Sequence, residues 1–526
     1  MSRFFNTAGP IKENKHYSIP SLGRLDLRGI LTLIDQEKYF VLHAPRQTGK
    51  TSFLRSLMSY LNKEGKYTCL HINVESAQAA RENIKNGIRS ILDTLAERAM
   101  DALDDPFLKE NWRTVLEESG EHNALKNALK SWSKNNKRPI VLLMDEIDSL
   151  VGDTLISVLR QLRSGYDSRP GLFPQSIILC GVRDMKDYRI HSDKTKDIIT
   201  GGSAFNIKAE SLRLDNFGPK EIKDLYLQHT RETGQGFHED VFPLVWELTE
   251  GQPWLVNALA YETCFKIKEG RGRDKIISSE EIQQAKENLI LRRETHLDQL
   301  ADKLKEERVR RVIEPILAGL DAAERVPNDD VEYAADLGLV KVKPQLAIAN
   351  RIYREVIPRS LTYTTQLRII HDSSWYIGAG GRLDMNKLLT AFQEYFRKNF
   401  ESWVGGFDYA EAGPQLLLQA FLQRIVNGGG RVEREYGLGR NRTDLLVIWP
   451  HEKGTQEAVI EMKLRYGTME TVIEKGLEQT RGYMDKCGTD EGYLLVFDRA
   501  PGKTWEEKIF KQDRTFNNTV IPVYGM

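Results

Sequence analysis

The sequence has few cysteines, no long apolar run and no excess of charge of either sign. Its 526 residues include four cysteines, which lie far apart and form no Cys-x-x-Cys pair. This pattern favours free thiols in a reducing compartment over a disulfide framework or a zinc ribbon. No apolar run approaches the roughly 18 residues that a transmembrane helix needs, and the first residues lack the apolar centre of a signal peptide. We therefore predict a cytoplasmic protein with no membrane partner.

The balance of charge and the histidine pattern exclude two further classes. Lys plus Arg and Asp plus Glu both number 75, so the formal net charge is zero. A uniformly basic surface is excluded, although a local basic groove is compatible with this balance. The ten histidines form neither an HExxH motif nor an i, i+4 pair, which argues against a zinc site.

The order of apolar runs predicts an α/β chain of several domains. Residues 1–214 alternate short strands with amphipathic helices, as a parallel sheet requires. Residues 215–290 read as a helical lid, and 291–360 follow the helix, helix, hairpin order of a winged-helix domain. Residues 361–383 contain Thr-Tyr-Thr-Thr and Gly-Ala-Gly-Gly and read as a linker. Residues 384–526 form a second α/β domain.

The strands of the two α/β domains are predicted from runs of five to seven mostly apolar residues. In the first domain they are Tyr39–His43, Thr68–Asn73, Ile140–Met144 and Ser176–Gly181. In the last domain they are Val432–Tyr436, Thr443–Trp449, Ala458–Leu464 and Gly492–Phe497.

A phosphate-binding loop is predicted between the first strand and the helix that follows it. Residues 44–51 read Ala-Pro-Arg-Gln-Thr-Gly-Lys-Thr, in the strand–loop–helix context that the P-loop motif needs. Backbone N–H groups of the loop would hold phosphate oxygens, Lys50 would contact the β- and γ-phosphates, and Thr51 would ligate Mg²⁺. Ala44 replaces the usual first glycine, so the loop must begin in a conformation that alanine adopts. The alternative is a plain strand-to-helix turn. The predicted nucleotide contacts are Ala44, Pro45, Arg46, Gln47, Thr48, Gly49, Lys50 and Thr51.

Two carboxylates end the buried strand that begins at Ile140. Asp145 is placed to hold the water shell of Mg²⁺, and Glu146 to polarise the attacking water. The alternative is a solvated acidic turn after a buried strand. Behind a phosphate loop, the pattern predicts a site for nucleotide hydrolysis.

The phosphate loop, the Asp145–Glu146 pair and two later motifs together resemble those of the AAA+/STAND-type ATPases. The motifs are Gly181-Val-Arg-Asp184 after a strand and Gly251-Gln-Pro-Trp254 in the helical segment. The resemblance implies that Arg183 is the sensor-1 residue near the γ-phosphate and that Pro253 contacts nucleotide from the lid. It also implies that His16–Pro20, with Arg24, packs on the adenine. A homo-oligomer is implied as well, in which Arg160, Arg163 or Arg169 acts on a neighbouring subunit; the alternative for each is a solvated helix face.

A second constellation lies on two consecutive strands of the last domain. Glu461 and Lys463 share one face of their strand because side chains alternate with period two, and Asp444 lies on the preceding strand. Two convergent carboxylates form a site for a hard cation. A neighbouring lysine orients water or offsets charge on a phosphate. The predicted metal ligands are therefore Asp444 and Glu461 here, and Thr51 and Asp145 at the nucleotide site.

This arrangement resembles the PD-(D/E)XK nucleases, and more narrowly bacterial AAA-like ATPases with a C-terminal nuclease-like domain. Gln479-Thr-Arg-Gly-Tyr483 is similar to the QxxxY element of the RecB-type branch, which implies that Gln479 helps to set the lysine and the DNA backbone. An upstream helix usually contributes a further carboxylate, but here the helix near Gln415–Val426 carries Gln415 and Gln419, with Glu411 at its start. Either Glu411 substitutes for that carboxylate or the position is degenerate. Weaker candidates for this role are Glu433 and Glu435. Arginines that could neutralise phosphates are Arg431, Arg434, Arg440, Arg442, Arg465 and Arg481.

The favoured hypothesis is an ATP-binding and hydrolysing protein whose nucleotide state controls a metal-dependent DNA nuclease. The cofactors are ATP and Mg²⁺, with Mn²⁺ as an alternative at the nuclease site. By resemblance, its setting is bacterial defence against phage or mobile DNA, with an unidentified activating partner. Two alternatives stay open: a nucleotide-switched scaffold with a degenerate nuclease fold, and a nuclease directed at RNA. The resemblance implies that the winged-helix domain, residues 291–360, packs on the ATPase, and the alternative is that it contacts DNA.

Overall fold

In a computed structural model, the chain forms two compact units. The first comprises Met1–Glu294 and Val331–Lys341, and the second comprises Thr295–Asp330 and Val342–Met526. None of the described helices is long and apolar enough to cross a bilayer. The residues described are 3–184, 189–191, 198–200, 205–292, 295–317, 326–361, 376–404, 414, 417–422, 430–436, 443–465, 467–498 and 503–526.

The first unit is built on a parallel sheet of five strands. They are β1 (Tyr39–His43), β2 (Thr68–Asn73), β3 (Ile140–Asp145), β4 (Ser176–Gly181) and β5 (Lys208–Arg213), in the order β2-β3-β4-β1-β5. The four predicted strands are confirmed, and β3 is one residue longer than predicted. β5 was not predicted because its sequence, Lys-Ala-Glu-Ser-Leu-Arg, is that of a half-exposed edge strand. Since all five strands are parallel, their carboxyl ends lie at one edge.

Helices cover both faces of this sheet. Alternate residues of β3 enter different cores: Leu142 and Met144 pack on one face, and Val141 and Leu143 on the other. A parallel strand buried on both faces reads as a continuous apolar run, which is why β3 was predicted from the sequence. The helices are α1 (Leu27–Asp35), α2 (Lys50–Glu64), α3 (Ile84–Leu103), α4 (Phe107–Ser119), α5 (Ala124–Asn135) and α6 (Gly152–Ser164).

A helical segment follows the sheet within the first unit. The predicted lid, residues 215–290, forms four helices with breaks between them: α7 (Pro219–Thr233), α8 (Val241–Thr249), α9 (Pro253–Tyr261) and α10 (Ser279–Arg292). Pro253 opens α9, where its missing N–H costs nothing. The N-terminal residues contact this segment: Trp254 Nε1 donates to the carbonyl of Thr7 at 2.8 Å.

Shorter elements follow before the second sheet. They are α11 (Thr295–Lys303), α12 (Glu307–Leu317), α13 (Asn328–Asp336), β6 (Val340–Lys341), β7 (Ala347–Ile348) and α14 (Arg351–Leu361). The first helix of the predicted helix–helix–hairpin order is two helices, α11 and α12, with a break at 304–306. α13, β6 and β7 follow in the predicted order, and α14 comes after them where no helix was predicted.

The second unit contains a mixed sheet of six strands. They are β8 (Arg431–Tyr436), β9 (Thr443–His451), β10 (Gly454–Leu464), β11 (Glu491–Phe497), β12 (Phe510–Phe516) and β13 (Thr519–Gly525), in the order β8-β9-β10-β11-β13-β12. β9 and β10 form the predicted antiparallel hairpin, and β10 runs parallel to β11, which runs parallel to β13. Strands β12 and β13 were not predicted, and β12 is an edge strand with alternating exposed residues.

Helices α15 (Met385–Val404) and α16 (Met469–Cys487) pack on opposite faces of this sheet. Leu477 of α16 belongs to the core that contains Leu446 and Val459, whereas Phe392 of α15 belongs to the other core. The last residues of the predicted linker, 376–383, are part of this unit, because Tyr376 and Leu383 are buried in the core beside Phe392. The sequence predicts a linker here because glycines separate these few apolar residues.

Candidate functional site

The loop between β1 and α2 has the backbone of a phosphate cradle. Its left-handed residues are Gln47, with φ of 60°, and Gly49, with φ of 96°. Ala44 instead continues the strand, and its N–H donates to the carbonyl of Gly181 at 3.3 Å. The left-handed conformation falls at later positions of the loop, which explains why alanine is accepted at the first.

Lys50 lies over this loop. The residue is buried, and its Nζ donates to the carbonyl of Ala44 at 2.9 Å and to that of Pro45 at 3.0 Å. These two carbonyls hold the ammonium group at the rim of the loop, ahead of the N-terminus of α2. A helix N-terminus with a cation beside it attracts anions. The loop therefore fits the phosphates of a nucleotide.

Thr51 and Asp145 meet below the loop. Thr51 Oγ1 donates to Asp145 Oδ2 at 2.7 Å, and Asp145 is fully buried at the carboxyl end of β3. Burial raises the pKa of the Asp145 carboxyl, but hydrogen bonds from His71 and Thr51 outweigh it and leave the pKa below its usual value. An ionised carboxylate and a hydroxyl oxygen in contact are suitable ligands for Mg²⁺ and its water shell.

Glu146 follows Asp145 in a strained backbone conformation. Its φ is 57°, a left-handed value that is uncommon for a residue with a side chain. Burial and, next, the charge of Asp148 raise the pKa of the Glu146 carboxyl, and Lys50 opposes them. A partly buried carboxylate with a raised pKa is suited to accept a proton from water.

His71 is a member of this network that the sequence analysis missed. It lies on β2, next to β3, and its Nε2 is 3.3 Å from Asp145 Oδ2. Both side chains are almost completely buried. His71 shows no motif in the sequence, because the contact exists only when the two strands pair. The imidazole helps to hold the carboxylate that would face the metal.

Replacing His71 by leucine is expected to weaken the use of Mg²⁺. Loss of a residue that orients a metal-binding carboxylate typically lowers metal affinity by about 10–100-fold, so we expect the Mg²⁺ needed for half-maximal ATP hydrolysis to rise at least about 10-fold. The measurement is a Mg²⁺ titration at fixed ATP. His122→Leu, at an exposed site, is the control, and an unchanged titration in His71→Leu would show that His71 serves only packing.

Arg183 follows β4, as predicted, but points to an aromatic ring. Its guanidinium carbon is 5.1 Å from the centre of the Tyr333 ring, which is in cation–π range. Tyr333 belongs to residues 331–341, which we call the strap. The strand end next to Arg183 is fixed because the Val182 N–H donates to Asp148 Oδ1 at 3.0 Å. The predicted sensor side chain is thus held beside the loop by the strap.

The strap contacts three other parts of the first unit. A Cβ placed on Gly338 would lie 2.8 Å from Pro45 in the phosphate loop. Arg213 of β5 donates to the carbonyl of Ala335 at 3.2 Å. Lys341 forms a 2.6 Å ion pair with Glu250. The strap therefore contacts the loop, the edge strand and the residue that ends α8.

Substitution of Gly338 by alanine tests the contact with the phosphate loop. Gly338 has φ of 77°, so alanine adds backbone strain of about 1 kcal/mol, and its Cβ would also collide with Pro45. Gly234 has φ of 80° with open space around it, so Gly234→Ala carries the strain alone. We expect Gly338→Ala to lower Tm more than Gly234→Ala does and to weaken binding of a fluorescent ATP analogue. Equal effects of the two variants would contradict a contact at Pro45.

Arg24 joins the phosphate loop to the start of the helical segment. It donates to the carbonyl of Thr48 at 2.5 Å and to that of Asp215, and its guanidinium carbon lies 4.8 Å from the centre of the Phe217 ring. Burial lowers the pKa of Arg24 to about 10. Phe217 in turn donates its N–H to the carbonyl of Gly251, two residues before the buried Pro253. The structure thus connects the predicted adenine-side arginine to the predicted lid motif.

The segment predicted to pack on adenine, His16–Pro20, contacts the helical segment. Ser18 and Gln228 exchange two hydrogen bonds, of 3.2 and 2.8 Å. The Ile11 N–H donates to Ser52 Oγ of α2 at 3.1 Å. The N-terminal residues thereby contact α2 through Ile11, outside the predicted segment, and α7 of the helical segment through Ser18, inside it.

The three candidate arginines for a neighbouring subunit differ in exposure. Arg160 and Arg163 are exposed on α6. Arg169 is held by its own chain: it donates to the carbonyls of Tyr166 and Glu37 and lies over the Tyr166 ring. Of the three, Arg160 and Arg163 are better placed to meet another subunit.

In the second unit, Glu461 and Lys463 lie side by side on β10. Lys463 Nζ is 2.6 Å from Glu461 Oε1, and Glu461 is almost completely buried. Leu445 pairs with Ile460, so Asp444 and Glu461 are the next positions along the two strands. The backbone of Asp444 is described but its side chain is not. Among the described side chains, no group of three or more His, Cys, Asp or Glu could hold a metal, so a metal site here needs Asp444.

The helix that follows this hairpin places the QxxxY residues on different surfaces. Tyr483 is buried in the core that contains Leu446, whereas Gln479 is exposed on α16. No described contact brings Gln479 to Glu461. Arg481 forms an ion pair with Asp485 on the same helix. The predicted role of Gln479 stays a prediction.

Other residues proposed for this site have different positions. Glu433 is buried in ion pairs with Arg351, at 2.8 Å, and Arg431, at 3.1 Å, which gives it a structural role. Gln419 is buried, and neither atom of its amide has a hydrogen-bond partner in the described part of the chain. Glu411, Gln415, Arg440 and Arg442, and the side chains of Arg434 and Glu435, lie outside the described residues.

Comparison with solved structures finds proteins of low sequence identity to this chain. The Walker-type ATPase of Pyrococcus abyssi is 15% identical and matches 67% of this chain and 99% of its own, with a TM-score of 0.48. RuvB of Thermotoga maritima is 13% identical over 63% of this chain and 91% of its own (TM-score 0.33). Cdc6p of Pyrobaculum aerophilum is 14% identical over 65% and 93% (TM-score 0.34). No curated protein sequence matches this chain.

The family is shown by the sequence itself. The profile of the AAA-like domain matches residues 28–355, which is more than half of the chain. The match includes the phosphate loop, the Asp145–Glu146 pair, Arg183 and the helical segment. The chain therefore belongs to the AAA-like domain family.

Proposed function

We propose that this AAA-like protein binds and hydrolyses ATP and that its nucleotide state controls a metal-dependent DNA nuclease in the second unit. The observation that carries the ATPase part is the 2.7 Å contact between Thr51 and Asp145 beneath the phosphate loop. The observation that supports the nuclease part is the hairpin that sets Asp444 opposite Glu461, with Lys463 beside it.

At the nucleotide site, the residues have distinct tasks. The loop N–H groups and Lys50 hold the phosphates and offset their charge. Mg²⁺, held by Thr51 and through water by Asp145, would supply further charge compensation at the β- and γ-phosphates. Glu146 orients the attacking water and accepts its proton. Arg183 would exchange the Tyr333 ring for the γ-phosphate.

At the nuclease site, the chain would use its carboxylates and lysine. Asp444 and Glu461 would hold Mg²⁺ or Mn²⁺, which lowers the pKa of water and so supplies the nucleophile. Lys463 would stabilise charge that develops on the phosphate as water attacks. Glu411 or Gln415 would complete the site, and Gln479 would orient the lysine and the DNA backbone.

The strap offers a route by which the nucleotide could control the second unit. The chain enters the first unit at Val331 and leaves it after Lys341, and the residues on both sides belong to the second unit. A change at Arg183 or Pro45 would therefore act on a segment that is covalently continuous with the second unit at both ends. We further propose that the protein acts as a homo-oligomer in the cytoplasm, responds to an activating partner and serves bacterial defence against phage or mobile DNA.

One observation favours a second candidate function. The 2.6 Å ion pair between Lys463 and Glu461 has the geometry of a structural ion pair. A nuclease fold in which this pair serves only stability would bind nucleic acid without cutting it. The second candidate is thus a nucleotide-switched scaffold that binds nucleic acid or a protein partner. Direction of the same site at RNA is a variant of the first proposal.

Cleavage assays separate these functions. Linear, circular and single-stranded DNA, and RNA, would be incubated with the full chain in Mg²⁺ or Mn²⁺, with and without ATP. We expect cleavage of DNA whose rate changes with ATP. ATP hydrolysis with binding but no cutting in any condition would favour the scaffold, and cutting of RNA alone would replace the DNA substrate.

A further inference from the structure

The carboxyl ends of β10 and β11 carry a group of charges of which the sequence analysis named only Arg465. The Asp498 side chain has no exposed surface. Its Oδ2 accepts hydrogen bonds from Arg465 Nη1 at 2.5 Å and from Lys503 Nζ at 2.8 Å. The Asp498 N–H donates to the carbonyl of Met526 at 2.6 Å. We call Arg465, Asp498 and Lys503 the Asp498 cluster.

The geometry of this cluster fixes Arg465. Its N–H donates to the carbonyl of Phe497 at 2.9 Å, which continues the β10–β11 ladder, and its Nε donates to the carbonyl of Gly467 at 3.1 Å. With Asp498, three contacts hold this one residue. A buried carboxylate is stable only when paired, and here two cations share it. The Arg465 side chain is 22% exposed and the Lys503 side chain 34% exposed, so both keep part of their surface in solvent.

The cluster lies next to the candidate nuclease site. Side chains alternate along β10, so Glu461, Lys463 and Arg465 occupy one face in succession. Glu461 pairs with Leu494 and Lys463 with Val496 on β11, and Asp498 lies two residues beyond Val496. Two residues of strand rise about 6.6 Å, whereas one strand of B-DNA carries a phosphate about every 3.4 Å along the helix axis. Lys463 and Arg465 are therefore close enough along the strand for their cations to contact nearby phosphates of one DNA strand.

We propose that Arg465 and Lys503 bind the DNA backbone next to the phosphate that Lys463 faces, and that Asp498 is the positioning residue that aims both cations. The inference rests on the proposed nuclease function and extends it to how DNA is held. A phosphate replaces none of the contacts that fix Arg465, because the guanidinium has further donors beyond Nε and Nη1. The cluster would therefore be preformed for its ligand.

The test is DNA binding without cutting. A fluorescent 20-base-pair DNA would be titrated with the full chain in EDTA at several salt concentrations, for the parent, Arg465→Gln and Lys503→Gln. Each phosphate contact contributes about 0.9 to the slope of log K against log salt for duplex DNA, so we expect each variant to lose about one such unit. Arg514→Gln is the control, since Arg514 lies on β12 in a one-to-one pair with Glu470.

The outcomes separate the inference from the proposal beneath it. Parental binding with an unchanged slope in both Arg465→Gln and Lys503→Gln would overturn the inference and leave the nuclease proposal standing. An equal loss in Arg514→Gln would also overturn it, by showing a general effect of charge. Absence of binding of this DNA by the parent would overturn the inference as well, and the cleavage assays in Mg²⁺ or Mn²⁺ decide the nuclease proposal separately. Thermal unfolding shows whether each variant is folded. If Arg465→Gln is unfolded, the result for Lys503→Gln, at the more exposed position, decides the inference.

Discussion

Glu146→Gln is expected to reduce ATP turnover at least about 100-fold while nucleotide stays bound, because general-base catalysis contributes 10²–10⁴-fold in rate. The amide keeps the volume of the side chain but cannot accept a proton from water. Glu146 is partly buried at the end of β3 and its left-handed backbone, with φ of 57°, is unaffected by this change. Under the proposed function, Lys50, Thr51 and Asp145 would still hold the phosphates and the metal.

Phosphate release and binding of a fluorescent ATP analogue would be measured in parallel. Glu64→Gln, an exposed residue at the end of α2, is the matched control and should behave like the parent. Parental turnover in Glu146→Gln would remove Glu146 from the role of base. Loss of binding as well as turnover would instead indicate that Glu146 supports the loop.

Much of the ATPase site was predictable because its parts are local in sequence. The phosphate loop is eight consecutive residues between a buried strand and an amphipathic helix. Asp145 and Glu146 follow a continuous apolar run, which is typical of a parallel strand that is buried on both faces. Parallel strands then bring their carboxyl ends together, so the contact between Thr51 and Asp145 follows from topology.

The contacts that could not be predicted depend on pairing between distant segments. His71 meets Asp145 only because β2 lies beside β3, and no spacing in the sequence records that order. Tyr333 lies about 150 residues after Arg183, in a stretch that reads as an ordinary helix. The edge strands β5 and β12 are half-exposed and polar, so their periodicity is weak. Asp498 and Lys503 form no motif at all.

Lys463→Ala is expected to lower the rate of DNA cleavage at least about 100-fold, because removing one group that stabilises charge in the transition state lowers kcat by about 10²–10³-fold. ATP hydrolysis should be unchanged, because its residues belong to the first unit and Lys463 belongs to the second. The measurement is the rate of DNA cleavage beside the rate of phosphate release. Lys453→Ala, at the exposed turn of the same hairpin, should cut like the parent.

Removal of Lys463 also takes away the 2.6 Å partner of the buried Glu461, so alanine could lower stability as well as activity. Lys463→Gln retains a hydrogen-bond donor toward Glu461 without the charge. If it melts at the parental temperature and still fails to cut, the lost function is the positive charge at the phosphate. Cleavage at the parental rate by both folded variants would mean that Lys463 and Glu461 form a structural ion pair, and the scaffold would then be the better account of the second unit.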